Sequence, residues 1–172
     1  ASGELKDRLR RQMVEATAGG LTPNPDYPYR GDFQDEYRTR QVECAVALYS
    51  KMSIGRGDKE GRMRAVLRNF EFFDAPHIAF LGMNPAFGTT VAIDVGMFAQ
   101  SLMLTLVAFG LHSCPMGTMR NYPDMVREAF QIEDGTKILF GISFGYEDPD
   151  VVANETRTTR DDISANIVFR SS

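Results

Sequence analysis

The segment from Thr90 to Arg120 constrains the fold more than any other part of the chain, because it holds the longest apolar run. Between Ile93 and Phe109 only Asp94, Gln100, Ser101 and Thr105 carry polar side chains. Asp94 reads as a helix start, since a carboxylate there meets free N–H groups and complements the helix dipole. From Val95 onward, valine, leucine, methionine and phenylalanine occupy nearly every side of that helix. A helix apolar all round belongs in a core or a subunit interface. At 1.5 Å per residue it would run about 25 Å, short of a membrane span. Gly110 ends it as a C-terminal cap, and Ser113–Thr118 follows as a glycine-containing loop.

The 172 residues suit one domain with a substantial core. A net charge of −4 argues against a nucleic-acid surface as the main function. The basic clusters Lys6–Arg11 and Arg56–Arg68 are interleaved with acids and read as solvated helix faces. Cys44 and Cys114 make neither a disulfide framework nor a metal-ligand spacing. Both sit in apolar surroundings, which fits a reduced, cytoplasmic protein. The chain opens on charged residues rather than on a secretion signal. His77 and His112 lack acid, Cys or Ser partners in any recognisable motif, so a hydrolytic triad is disfavoured.

Glu4–Ala18 has helical period through Leu5, Leu9 and Met13, and Gly19-Gly20 stops it. Leu21–Gln34, dense in proline and aromatics, predicts a long surface loop. Asp35–Met52 and Lys59–Phe70 predict two further helices. His77–Met83 is the first strong strand, apolar enough to be covered on both faces. A short helix follows from Tyr122 to Phe130, then a second strong strand over Thr136–Tyr146. Asn166–Phe169 reads as a third strand at an edge. Two strong strands and one weak one among five helices give an α+β fold with a thin sheet.

No phosphate-binding P-loop, dinucleotide fingerprint, paired metal ligands or nucleophile elbow is present. An enzyme with this inventory borrows its reactivity from an organic cofactor. Two places could hold one. The loop Cys114–Met119 could bring backbone N–H groups against a planar ligand, or could be a plain turn between helices. Arg157 and Arg160 could clamp a phosphate, or could be a solvated basic turn.

Four blocks in order resemble the FMN-dependent nitroreductase family. Arg68–Pro76 (RNFEFFDAP) is similar to an N-x-x-F-F-x-A-P approach to a strand. Asp94–Leu104 resembles the family's D-x-G-x-x-x-Q-N-L-x-L central helix. Gly110–Gly117 resembles its G-L-G-x-C-P-x-G flavin loop. Gly145–Pro149 with Asn154, Arg157 and Arg160 resembles its closing G-Y-x-x-P…N-x-x-R-x-x-R.

The resemblance implies a single nitroreductase-like domain over residues 1–172, with a mostly antiparallel sheet flanked by helices and a long apolar central helix. It implies FMN as cofactor, with Pro115, Met116, Gly117 and Thr118 along the isoalloxazine and Arg157 and Arg160 on the phosphate. Backbone N–H groups of Gly117 and Thr118 would face flavin N5 and O4. NADPH or NADH would reduce the flavin, then give way to a nitroaromatic or quinone-like acceptor. No side chain of the protein need act as a catalytic acid or base, and no metal, nucleic acid or membrane is implied. A homodimer would form through the 93–109 helix. Substrate contacts are expected in the Tyr27–Phe33 loop and the 35–57 region. The family's R-R-S-x-R and S-x-x-N-x-Q-P-W segments have no counterpart, so the family's N-terminal helix and first strand are expected to be missing. That expectation carries an alternative, a non-catalytic flavin-binding or structural subunit completed by a second chain.

Overall fold

The computed structural model describes residues 1–28, 32–132 and 135–170. Two compact units emerge, one formed by Ala1–Arg30 with Lys59–Glu147, the other by Gly31–Asp58 with Asp148–Ser172.

The first unit contains helix α1 (Gly3–Ala18), and the second contains helix α2 (Asp35–Lys51). Back in the first unit follow α3 (Lys59–Phe70), strand β1 (His77–Met83) and α4 (Thr89–Ala108). Strand β2 (His112–Met116), helix α5 (Pro123–Phe130) and strand β3 (Lys137–Gly145) complete it. The three strands form one antiparallel sheet in the order β1-β3-β2. β3 lies in the centre, with Phe80 opposite Gly141 on one side and Pro115 opposite Ile142 on the other.

Central strands need cover on both faces, and the apolar pattern of β3 supplies it. Ile138 joins Leu9 and Met13 of α1, Phe70 of α3 and Val126 of α5 in the larger core. Ile142 joins Leu81 of β1 and Ala99 of α4 in a smaller one. Burying side chains of this size stabilises by roughly 1.5–3 kcal/mol each. The two cores account for most of what holds this unit together.

The third strand lies in a different place from the sequence expectation. His112–Met116, read as part of a loop, is the edge strand β2. An edge tolerates Pro115, which has no N–H to donate. Asn166–Phe169 is not a strand: a short 3-10 turn over Ile163–Ala165 leads into irregular chain in which Val168 and Phe169 are exposed. Lys6 also departs from the solvated face assigned to it. It is buried along α1, with its ammonium 3.0 Å from Asp7. Both cysteines, expected in apolar surroundings, are free and exposed.

α4 begins at Thr89, before Asp94, because Asn84 turns the chain early. Its side-chain oxygen accepts from the Ala86 N–H at 2.9 Å, and Gly88 takes the N-cap position. At its end Gly110 adopts φ +74°. The Gly110 N–H reaches Val107 O, and the Leu111 N–H reaches Leu106 O, both at 2.9 Å. This is a Schellman closure, in which the left-handed residue is normally glycine. The expected glycine cap is therefore present.

The expected burial of α4 is only partly met within one chain. Ala99 and Leu106 are its buried residues, while Ile93, Met97, Phe98, Leu104 and Val107 are each more than half exposed. With 20 residues, longer than the sequence suggested, the helix is long and apolar enough to cross a bilayer by those two criteria alone.

The second unit has little core, and α2 buries no residue. Ion pairs link its two segments: Lys51 to Glu155 at 2.8 Å and Arg40 to Asp161 at 2.5 Å. Lys51 holds the Glu155 carboxyl below its usual range.

Candidate functional site

The segment from Pro115 to Met119 is anchored at alternate points and open between them. β2 ends at Met116, whose side chain turns into the core at 2% exposure. A 3-10 turn over Gly117–Asn121 follows. Its Met119 is fully buried against β3. The fit there is close, since a Cβ on Gly141 would lie 2.9 Å from Met119 Cγ. Pro115 and Gly117 are exposed. A Cβ built on Gly117 meets nothing within 4 Å. The backbone at Gly117 is thus displayed toward open space from a rigid mount.

Thr118 is half-buried, and its hydroxyl lies 3.3 Å from Asn69 Oδ1 near the end of α3. Asn69 stands inside the Arg68–Pro76 block, but sequence reasoning assigned it no role. Its only signal was its place in that motif. Directly after α3 the chain makes a left-handed turn, with φ between +53° and +59° at Phe72, Phe73 and Asp74. Such a run costs about 1–2 kcal/mol per residue in L-amino acids. Asp74 holds it in place, accepting from Arg68 at 2.5 Å and pairing with Arg10 at 3.2 Å.

His112, read from the sequence as partnerless, lies 3.1 Å from Glu147. The pair joins the start of β2 to the residues just after β3. Of the expected substrate-contact loop, Tyr29, Arg30 and Gly31 lie outside the described residues. The hydroxyl of Tyr27 is buried with no hydrogen-bond partner among the described residues.

Arg157 and Arg160 belong to the second unit, whereas Pro115–Thr118 belong to the first. Both arginines are exposed. Arg157 donates to the carbonyls of Asn154 at 2.6 Å and Thr156 at 3.1 Å. Arg160 donates to Thr158 Oγ1 at 2.7 Å and Thr159 O at 2.9 Å. Glu155 and Asp161 pair with Lys51 and Arg40, and Arg157 lies near enough to Glu155 to help lower its carboxyl. Beside Arg157, the hydroxyl of Thr156 is buried without a partner among the described residues. Two guanidinium forks and an unmet hydroxyl suit a phosphate, which offers only acceptors at neutral pH. The open space beside the Gly117 backbone suits the approach of a flat heterocycle.

Comparison with known proteins bears on the family and the fold. The family model for the nitroreductase family matches residues 5–146, which includes the Gly117 mount and stops before Arg157. Nitroreductase NfnB of Mycolicibacterium smegmatis is 34% identical over 169 residues, covering 98% of this chain and 71% of that protein. A 4-nitrobenzoate reductase of Pseudomonas putida is 30% identical over 164 residues, covering 93% of this chain and 70% of that protein. The crystal structure of the FMN-dependent nitroreductase NfnB from Mycobacterium smegmatis, in complex with NADPH, superposes with a TM-score of 0.93. That likeness, at 34% identity, covers 99% of this chain and 77% of the other. With its three-stranded sheet, its long apolar helix and a family match over most of its length, this chain belongs to the nitroreductase family.

Proposed function

We propose that this protein is an FMN-dependent oxidoreductase that passes electrons from NADPH or NADH to nitroaromatic or quinone-like acceptors. The observation that carries the reading is the Gly117 backbone, held between buried Met116 and Met119 and facing open space. FMN, when bound, supplies the N5 atom that takes a hydride from the reductant and returns it to the acceptor. The chain's own task is to bind, orient and polarise. N–H groups of Gly117 and Thr118 donate to the ring edge, with Pro115 and the backbone of Met116 alongside. Arg157 and Arg160 hold the phosphate, where each charge-assisted bond contributes roughly 1.5–3 kcal/mol.

Reductant and acceptor use the same open face in turn, so the cycle is a two-step exchange. No acidic or basic side chain of the protein is needed, because water can supply the protons. The M. smegmatis relative is described as FMN-dependent and as bound to NADPH, and the P. putida relative as acting on 4-nitrobenzoate; both support extending this chemistry here.

The same reading includes a homodimer built on α4. An apolar face of this extent marks an interaction surface. Two of its hydroxyls are already satisfied, since Ser101 donates to Met97 O at 2.9 Å and Thr105 to Ser101 O at 2.8 Å. Covering that face with a second copy therefore orphans neither hydroxyl. Exposed free thiols at Cys44 and Cys114 fit a reducing, cytoplasmic setting.

The deciding experiment is to add FMN to the purified protein and record the visible spectrum before and after NADPH under anaerobic conditions. Uptake of flavin followed by bleaching is the expected result. A protein that takes up no FMN overturns the reading.

A further inference from the structure

We propose that Asn69 is a positioning residue that fixes the Thr118 hydroxyl as a hydrogen-bond acceptor toward the cofactor; this rests on the flavin reading of Gly117 and Thr118. The side-chain amide nitrogen of Asn69 lies 3.3 Å from both Ala65 O and Val66 O in the last turns of α3. Carbonyl oxygens only accept, so the amide nitrogen must face them. The opposite orientation would set the Asn69 oxygen against two other oxygens. The helix itself thereby decides an assignment that heavy-atom positions alone leave ambiguous.

With its nitrogen committed to the helix, Asn69 presents Oδ1 to Thr118 Oγ1 at 3.3 Å. That oxygen has no proton to give. The single proton of the Thr118 hydroxyl is therefore used inward, and only lone pairs remain on its outer side. In chain order the mount carries the N–H of Gly117, the N–H of Thr118 and the acceptor oxygen of Thr118. An isoalloxazine edge offers the complement, with acceptors at N5 and O4 followed by a donor at N3–H. A hydroxyl free to rotate could present either polarity, but one tied to Asn69 presents only one.

The test compares binding of FMN and N3-methyl-FMN, which lacks that donor, to the full chain. Wild type should bind FMN about fivefold more tightly than the methylated analogue, the weight of one neutral hydrogen bond. Thr118→Ser should keep that ratio and Thr118→Val should bring it near one, whereas Asn69→Leu, which leaves the hydroxyl free to turn, should lower it to about twofold. Asn69→Asp retains an acceptor for Thr118 while giving up the donors to α3, so it should keep the ratio. It also guards against an Asn69→Leu chain that fails to fold.

If Asn69→Leu binds FMN and keeps the wild-type ratio, or if Asn69→Asp lowers it as Asn69→Leu does, Asn69 is only a helix cap and the inference is overturned. A wild type that binds both flavins equally also overturns it while leaving the flavin reading intact. A wild type that binds neither removes both.

Discussion

Arg127 donates through Nη1 to the Asp26 carboxylate at 2.6 Å, joining helix α5 to the proline-rich segment that follows α1. The side chains are 5% exposed for Asp26 and 15% for Arg127. The N–H of Ile138 donates to the same oxygen at 2.8 Å, and Lys137 lies 3.2 Å from the other. One carboxylate thus ties a segment without regular structure to both α5 and the first residues of β3.

Burial alone would raise the Asp26 carboxyl, but the hydrogen bonds from Arg127, Ile138 and Lys137 outweigh it and hold the group below its ordinary value of 3.8. A depressed carboxyl contributes stability that is complete above the ordinary value and drains away as pH falls through the folded one. Asp26→Asn should therefore lower stability at neutral pH and flatten its acid dependence. Asp26→Ala should cost roughly 1–3 kcal/mol, since the Ile138 N–H loses its acceptor while Arg127 keeps Asp124. Urea unfolding at pH 7 and at several pH values below the ordinary carboxyl value of 3.8 checks both; equal slopes with pH for wild type and Asp26→Asn would contradict the assignment.

Gly117→Ala separates the cofactor mount from the fold. The new methyl meets nothing in the chain within 4 Å, so the melting temperature should hardly move. The same methyl would project into the space proposed for the ring. FMN affinity should fall by at least tenfold, or about 1.4 kcal/mol. Flavin titration beside a thermal melt reads the two effects separately.

Arg160→Ala should weaken FMN by about 10- to 100-fold through loss of a charge-assisted contact. Riboflavin, which has no phosphate, should bind wild type and variant alike. An equal loss for both ligands would mean that Arg160 acts on the fold rather than on the phosphate.

Leu104→Glu tests the α4 face. Leu104 is 61% exposed in the single chain, so the change should cost little in a monomer. Across a two-fold interface it would bury an unpaired charge in each subunit, at several kcal/mol. The expected outcome is a wild-type dimer and a monomeric variant in light scattering coupled to size exclusion.

Local pattern made much of the first unit legible. His77–Met83 and Lys59–Phe70 have the bounds that apolar runs and turn residues predict, because each carries its own start and stop signals. Gly117 stands in a motif that can be read without tertiary information. β2 was not legible, because its five residues include Pro115 and only pairing with β3 makes them a strand. Asn166–Phe169 erred the other way: β-branched and aromatic residues suggested a strand, yet no element of the described chain pairs with them.

By itself, then, the sequence determined which segments are helical, which strands are apolar enough to be central, and the ordered blocks that mark the family. Those properties follow from neighbours a few residues apart. Tertiary structure alone decided that Asp26 meets Arg127, that Asn69 commits the Thr118 hydroxyl, and that most of α4 remains uncovered in one chain. Each depends on groups brought together across the fold, and composition carries no record of such distances. The apolar helix is the sharpest case: its sequence calls for cover, and within this chain Ile93, Met97, Phe98, Leu104 and Val107 remain exposed.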